Sequence, residues 1–265
     1  MFFMKPESGK QFSEVILHVP HSSTYIPEEF ADSFLCDLET EMTLMSDLYT
    51  DILFDCRHEA VVFPVSRLIC DVERFRDDCD EPMSRVGMGA VYTRAHTGAP
   101  LRRTGEGERE RILRRWYDPH HAELERQVGR RLDAFGKCLV IDCHSFSGVP
   151  LPHEPDKDPD RPDICVGTDG FHTPGRLADA AADRIKRLGY SVRLNSPFAG
   201  SLVPLRFYRR EPRVYSLMLE INRSLYLDGR TPKSGFGRLK TDISDIIESV
   251  AGAVSVSPSK TIRSE

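Results

Sequence analysis

Short apolar runs, each bounded by polar or turn-forming residues, recur along the whole sequence. They lie at 15–19, 60–65, 90–93, 139–141, 164–167, 190–194 and 214–222. Runs this short, with valine and isoleucine prominent among their residues, are typical of buried β-strands. The pattern therefore predicts a sheet with a well-covered centre.

Longer amphipathic stretches separate these runs and predict helices. The predicted helices occupy 38–57, 106–135, 175–188 and the stretch after 237. In the first of them, apolar residues such as Met42, Met45 and Ile52 recur at helical spacing. Pro119 lies inside the second and predicts a break or kink there, because proline lacks a backbone donor.

Strands that alternate with helices predict an α/β fold, with a mainly parallel or mixed central sheet flanked by helices. A chain of 265 residues is long enough for one such domain with a sizeable core. We expect a single domain over 1–252. The residues 253–265 are polar and are expected to form a disordered tail.

Composition narrows the possible functions. The hydrophobic content of 40% and the charged content of 29% are those of an ordinary globular protein, and the formal net charge of -5 offers no basic field for a nucleic acid. No apolar run approaches the roughly 20 residues that cross a bilayer, so no membrane partner is expected. The seven cysteines form no CxxC pair, which favours reduced thiols and a cytoplasmic location.

Polar residues with metal-binding and acid–base chemistry follow the apolar run at 139–141. Asp142 and His144 lie two apart, so they point to one face of a strand, whereas Cys143 points to the other face. An acid and a histidine at a strand tip are costly to bury unless they have partners. In α/β sheets, ligands bind just beyond the carboxyl ends of such strands.

Two other predicted strands deliver similar residues. His21 follows the run at 15–19 in a polar loop, and Glu220 lies near the end of the run at 214–222. His18 is better explained as a packed strand residue. Side chains that converge from separate strand ends could hold a metal ion with one position open, while a carboxylate outside the ligand set takes a proton from water.

Taken together, the motifs resemble the N-formylglutamate amidohydrolase family, zinc enzymes distantly similar to zinc carboxypeptidases and aspartoacylase. The matching segments, in order, are 19–27, 46–51, 66–74, 119–124, 141–145, 163–168, 195–200 and 219–226. Two residues depart from the family pattern. Glu73 replaces the asparagine that usually precedes the arginine, and Ser201 replaces a second glycine after Gly200.

The resemblance implies a phosphorylase/hydrolase-like fold of the zinc carboxypeptidase type and one zinc ion per chain. It implies that His21, Asp47 and His144 bind the metal and that Glu220 is the general base. From the residues alone, Asp51 remains an alternative carboxylate ligand, because it would lie on the same helix flank as Asp47. Outside the ligand set, the predicted supporting residues are Asp51, Asp142 and Ser145.

The resemblance further implies hydrolysis of the amide bond of an N-formyl or N-acyl amino acid, with N-formyl-L-glutamate as the leading substrate and histidine degradation as the setting. A substrate with carboxylates needs planar bidentate donors, which arginine provides. The predicted substrate-binding residues are Arg67, Arg74, Arg94, His121, Asn195 and Arg223. We expect the proline-rich loop 152–162 to be flexible and to border the cleft. The oligomeric state stays open.

Three alternatives are considered. A zinc peptidase or an amidase for another acylated amino acid would use the same residues. A cysteine hydrolase would need Cys143, which the strand alternation places on the face opposite His144. A non-catalytic metal-binding or ligand-binding module would leave Glu220 without a function.

Overall fold

The computed structural model describes residues 9–103, 105 and 107–255. Its centre is a six-stranded sheet in the order β2-β1-β3-β6-β4-β5. The strands are β1 (Val15–Val19), β2 (Ala60–Val62), β3 (Cys138–Phe146), β4 (Ile164–Gly167), β5 (Val192–Leu194) and β6 (Val214–Asn222). The strands β2, β1, β3 and β6 are parallel, whereas β4 is antiparallel to β6. The sheet is therefore mixed, and the predicted α/β class is confirmed.

Helices cover both faces of the sheet. They are α1 (Leu38–Met45), α2 (Thr50–Leu53), α3 (Glu108–Ile112), α4 (Asp118–Phe135), α5 (Gly175–Arg187) and α6 (Phe236–Ser255). Leu139, Ile141 and Cys143 of β3 share a core with α5 and α6, while Val140 on the other face packs with α4. The alternation along β3 thus places Asp142 and His144 on the α4 face, beyond its apolar part. A small hairpin, β7 (Leu227–Asp228) and β8 (Thr231–Pro232), precedes α6.

The predicted helix at 38–57 is wrong in its middle, where the chain leaves the helix between α1 and α2. The backbone N–H of Asp47 donates to the carbonyl of His21 at 2.9 Å, so it makes a loop contact instead of a helical one. Tyr49 then adopts a left-handed conformation with φ 66°. Tyr226 stabilises this turn through its hydroxyl, which donates to the carbonyl of Leu48 at 3.0 Å. Long-range partners, which the local pattern cannot contain, break the helix.

Other predicted boundaries also shift. The run 90–93 forms no strand, because Thr93 donates to the carbonyl of Gly87 in a local turn. β2 ends at Val62, just before Pro64, which has no N–H for a strand ladder. In the long charged stretch, a π-helical turn at Leu113–Tyr117 joins α3 to α4, and Pro119 lies in the first turn of α4. That turn accommodates the missing donor without a full break.

The chain's closing segment is more regular than predicted. α6 continues to Ser255, so the first residues of the predicted tail at 253–265 are helical. The remainder, 256–265, lies outside the described residues. No helix within the described ranges is both long and apolar enough to span a bilayer.

Candidate metal centre and active site

A cavity of about 450 Å³ opens at the carboxyl ends of the parallel strands. It collects most of the residues that the sequence predicted for the site. These are His21, Asp47, Arg67, Arg74, His121, Asp142, His144, Ser145, Glu220 and Arg223. A cavity of this size suits a small ligand.

Three of these residues form a group that can hold a metal ion: His21, Asp47 and His144. Each offers one ligand atom, and the three atoms lie within 4.8 Å of one another. The Nδ1 atom of His144 lies 3.2 Å from Oδ2 of Asp47, and Nδ1 of His21 lies 3.5 Å from the same oxygen. The Nδ1 atom of His21 is buried and has no hydrogen-bond partner. Two imidazoles and one carboxylate with an unused buried nitrogen fit a zinc ion.

Local structure explains how this group forms. His21 follows β1 directly after Pro20, and Asp47 lies in the break between α1 and α2. The backbone bond from Asp47 to His21 ties the two segments together. His144 lies on β3 in register with Glu220 on β6. The broken helix thus brings Asp47 into the cavity.

Burial and charge set the ionisation of the group. Burial would raise the pKa of Asp47, but the hydrogen bond with His144 and the nearby imidazole of His21 outweigh it and lower that pKa below its ordinary value. Burial would lower the pKa of His144, yet Asp142 and Asp47 raise it well above the ordinary range. The carboxylate of Asp47 is therefore ionised, as metal ligation requires.

Each histidine ligand has a carboxylate on its other nitrogen. Nε2 of His144 lies 3.1 Å from Oδ1 of Asp142, the residue predicted to support it. Nε2 of His21 lies 2.8 Å from Oδ1 of Asp71. Asp71 also accepts from the Tyr92 hydroxyl at 2.6 Å and from Arg67 at 2.8 Å. Such partners orient ligating imidazoles. Sequence analysis missed the role of Asp71, although its segment was one of the matching motifs.

Glu220 lines the cavity, and one of its two carboxyl oxygens has no hydrogen-bond partner among the described residues. The side chain is buried, and the oxygen without a partner is Oε2. Burial raises the pKa of its carboxyl to about 8, against the opposing effects of His144 and Arg223. A carboxyl with a pKa near neutrality, beside a metal-binding group, is suited to take up and release a proton.

The three arginines that line the cavity differ in how firmly they are held. Arg67 donates to Asp71 and to the carbonyl of Met45. Arg223 donates from Nη1 to the carbonyl of Leu44 at 2.8 Å. Arg74 only approaches Asp71, at 3.6 Å, and its Nε is buried without a hydrogen-bond partner. Arg74 therefore keeps the largest capacity to bind a ligand carboxylate.

His121, the remaining predicted substrate-binding residue in the cavity wall, has one nitrogen already occupied. Its Nε2 donates to the carbonyl of Val72 at 2.9 Å. Burial lowers the pKa of the ring to about 4. The ring is therefore neutral and contributes shape to the cavity.

Three predicted site residues lie outside the cavity lining, so the structure does not bring them together with the others, and their functional roles stay predictions. Asp51 is exposed on α2, because the break before it separates its face from that of Asp47. Arg94 is exposed and donates to the carbonyl of Gly98. Asn195 is exposed in a left-handed conformation, and its side chain bonds to Thr168. The side chains of Arg94 and Asn195 therefore act in local turns.

The part of the site that sequence analysis missed centres on His18. It is buried, as predicted, but its contacts are polar. Its Nδ1 lies 2.9 Å from Asp142 and 3.0 Å from Glu73, and its Nε2 lies 2.9 Å from Nε2 of His120. The signal that could have revealed this cluster is the strand register, because His18 on β1 pairs with Asp142 on β3.

Two further expectations concern the surroundings. Cys143 is buried on the other face, and burial raises the pKa of its thiol well above the ordinary value, which disfavours a cysteine nucleophile.

The loop 152–162 has no regular secondary structure, and His153 and Glu154 line the cavity. The loop therefore borders the cleft; its mobility stays a prediction.

Comparison with known proteins agrees with this architecture. Residues 13–227 match the family model of N-formylglutamate amidohydrolase. Over 233 residues the chain is 25% identical to N-formylglutamate deformylase of Pseudomonas putida, which covers 82% of this chain and 83% of that protein.

Solved structures share the fold. The crystal structure of N-formylglutamate amidohydrolase from Ralstonia eutropha has a TM-score of 0.79 at 23% identity, over 93% of this chain and 94% of that one. A gene product of Agrobacterium tumefaciens has a TM-score of 0.65 at 20% identity, over 92% of this chain and 91% of that one. Because the family model matches most of the chain, the protein belongs to the N-formylglutamate amidohydrolase family.

Proposed function

We propose that the protein is a zinc-dependent amidohydrolase that cleaves N-formyl-L-glutamate into L-glutamate and formate. Family membership supports the reaction class, and the name of the Pseudomonas relative supports the substrate. The observation that carries the proposal is the buried carboxyl of Glu220, whose Oε2 has no hydrogen-bond partner among the described residues, beside the group of His21, Asp47 and His144.

The three residues of that group would hold the zinc ion. Their buried nitrogen and oxygen atoms match the ligand types of zinc in hydrolases, and three protein ligands leave a position open. Zinc bound there supplies Lewis acidity, which polarises a substrate carbonyl and makes a water molecule more acidic. Asp71 and Asp142 hold the two imidazoles in orientation.

Glu220 performs the proton transfers. It removes a proton from the attacking water as the water oxygen bonds to the formyl carbon. It then delivers that proton to the amide nitrogen as the C–N bond breaks, so the products are formate and the free amine of glutamate. The raised pKa, about 8 in the metal-free protein, makes both uptake and release feasible near neutrality.

Arginines account for binding of a dicarboxylate. Arg74 has unused donor capacity in the cavity wall, and the unpaired Nε of Arg223 is buried nearby. Planar guanidinium groups bind carboxylates through two parallel hydrogen bonds. We assign the main carboxylate contact to Arg74, because Arg67 is already held by Asp71.

A cytoplasmic location is part of the proposal. All seven cysteines are free thiols, which is the usual state in a reducing compartment. In that setting, we propose that the reaction closes a histidine-degradation route, as the family resemblance implies. The alternative is an amidase for another acylated amino acid, and Glu73 favours it, because a carboxylate replaces the usual asparagine in the cavity wall.

A substrate panel tests the proposal. N-formyl and N-acetyl derivatives of glutamate, glutamine, aspartate and histidine are incubated with the zinc-loaded protein, and release of the free amine is measured. We expect the highest kcat/KM for N-formyl-L-glutamate, with N-formyl-L-glutamine as the matched control that lacks the side-chain carboxylate. A chelator should abolish turnover, and added zinc should restore it. Absence of turnover on the whole panel by metal-loaded protein contradicts the proposal.

A further inference from the structure

We infer that the protein has a second metal site, formed by His18, Glu73 and Asp142, on the side of His144 opposite the first group. One ligand atom from each of the three residues lies within 4.8 Å of the others. The inference does not depend on the proposed substrate, because metal binding is measured without turnover.

The distances resemble those of a metal site. Nδ1 of His18 lies 2.9 Å from Oδ1 of Asp142 and 3.0 Å from Oε1 of Glu73. In a tetrahedral zinc site with bonds of about 2.0–2.1 Å, neighbouring ligand atoms are roughly 3.3 Å apart. A cation between these atoms therefore requires only small outward movements of the side chains.

One oxygen of this cluster lacks a hydrogen bond. Oε1 of Glu73 is buried and accepts no hydrogen bond from the part of the chain that the structure describes, although Nδ1 of His18 is only 3.0 Å away. Nδ1 of His18 instead forms its hydrogen bond with Asp142. A buried carboxylate oxygen without a donor is costly, and a cation would satisfy it.

His18 already has support on its other nitrogen. Its Nε2 lies 2.9 Å from Nε2 of His120, a buried residue of α4. A ligating histidine almost always donates its second N–H to an acceptor, usually a carboxylate, a carbonyl or a water, which directs the other nitrogen to the metal; Nε2 of His120 would be the acceptor here. His18 can donate to His120 from Nε2 and present the Nδ1 lone pair to Glu73 and Asp142.

Charge balance also favours a cation. Asp71, the carboxylate that contacts Nε2 of His21, has Arg67 and Arg74 within ion-pair distance. For Glu73 and Asp142, the only ion-pair partners among the described residues are His18 and His144. When Nδ1 of His144 is used by the first group, its Nε2–H can offset only part of these two negative charges.

The ligand set indicates the kind of cation. One imidazole and two carboxylates suit zinc, manganese or cobalt better than magnesium or calcium, which prefer oxygen alone. His144 lies between the two groups, with Nδ1 toward Asp47 and Nε2 toward Asp142.

Metal counting tests the inference. Metal-stripped wild-type protein is titrated with Zn²⁺ by calorimetry, and bound zinc is measured after desalting. We expect two equivalents for the wild type and one for Glu73→Gln, which keeps the shape but removes the charge. His21→Ala is the matched control; it removes a ligand of the first group only and should also bind one equivalent. The double variant should bind none.

The competing outcome is a proton on His18 in place of the metal. In that case the wild type and Glu73→Gln both bind one equivalent and His21→Ala binds none, which overturns the inference. Two equivalents in Glu73→Gln also overturn it, because the second zinc then lies elsewhere. If Glu73→Gln does not fold, Glu73→Asn and His18→Asn are used, with circular dichroism to count folded molecules. Failure of the proposed substrate leaves these stoichiometries unchanged, so the two failures are distinguishable.

Discussion

Glu220 shows how a single side chain acquires chemistry from its position. The apolar neighbours of Glu220 on β6 remove water from its carboxyl, and this burial raises the carboxyl pKa to about 8. His144, a member of the metal-binding group, lies beside Glu220 in register on β3. An acid held in this way can serve as a base only near a positive charge.

Replacement of Glu220 by glutamine should preserve zinc binding but reduce kcat by about 10²–10⁴-fold, because the amide cannot accept a proton. KM should change little. Zinc content and steady-state kinetics with N-formyl-L-glutamate check this result. A loss of zinc from the variant shows that Glu220 is a ligand instead. Retained zinc with unchanged kcat contradicts the proposed role altogether.

Asp71 is predicted to control zinc affinity through His21. Asp71→Asn should weaken zinc binding about 10–100-fold, because the carboxylate partner that orients the imidazole is lost. Competition with a coloured chelator measures the affinity. Tyr92→Phe is the matched control, since it removes one hydrogen bond to Asp71 and keeps the carboxylate. Equal affinities in Asp71→Asn and wild type argue against this orienting role.

Arg74 and Arg67 are predicted to differ when each is changed to lysine. Arg74→Lys should raise KM about tenfold or more with a small effect on kcat, because lysine cannot make the bidentate contact. Arg67→Lys should mainly lower the melting temperature, because Arg67 is paired with Asp71 beneath the cavity. Kinetics and thermal melts of both variants separate the two roles. A larger KM effect for Arg67→Lys reverses the assignment.

At the scale of elements, local pattern predicted the sheet well. The strands at 15–19, 164–167 and 214–222 are confirmed with their bounds, because short apolar runs have few alternatives to burial in a sheet. The break at Asp47 could not be predicted from the local pattern, because contacts with residues distant in sequence cause it. The backbone N–H of Asp47 donates to the carbonyl of His21, and the Tyr226 hydroxyl donates to the carbonyl of Leu48. The same break explains why Asp51 lies outside the cavity lining.

The candidate site divides in the same way. Strand alternation placed Asp142 and His144 on one face, and the family resemblance supplied Asp47. The cluster around His18 was missed because its members come from separate elements, His120 from α4 and Glu73 from a loop. Arg94 and Asn195 lie outside the cavity lining, because short-range turn contacts hold their side chains.

The loop 152–162 is predicted to depend on Arg161 for its position over the cavity. Arg161 donates to the carbonyl of Ser147 at 3.2 Å, pairs with Glu154 and lies over the ring of Phe198. Arg161→Gln should raise KM several-fold and speed proteolysis within the loop, while the core keeps its stability. Arg126→Gln, which removes an exposed pair on α4, is the control. Equal proteolysis rates in the two variants contradict this anchoring role.

At the scale of the whole molecule, stability and activity compete at the same residues. Three acids of the cavity wall, Asp47, Glu73 and Asp142, have only histidines as ion-pair partners among the described residues, so keeping them away from water in the metal-free protein carries a free-energy cost. Bound cations would relieve this cost and stabilise the folded state by mass action. Removal of metal should therefore lower the melting temperature, which links stability to the ligand groups.

The effect of burying the Glu220 carboxyl on the stability of the folded state can be measured as a function of pH. The folded pKa of this carboxyl, about 8, lies above the ordinary value of 4.5, so between these values the folded state holds a proton that the unfolded state has released. The free energy of unfolding therefore decreases as pH rises from about 4.5 to about 8.

Glu220→Gln has no such proton and escapes this loss. In a chelator, the variant should become more stable than wild type as pH rises, by more than about 1.4 kcal/mol, the equivalent of one pKa unit. Urea unfolding of both proteins at pH 5, 6, 7 and 8 measures the difference. Saturating zinc is the control and should reduce the difference, because a nearby dication favours the ionised carboxylate. Parallel stability curves in the chelator would show that burial does not raise the pKa of Glu220.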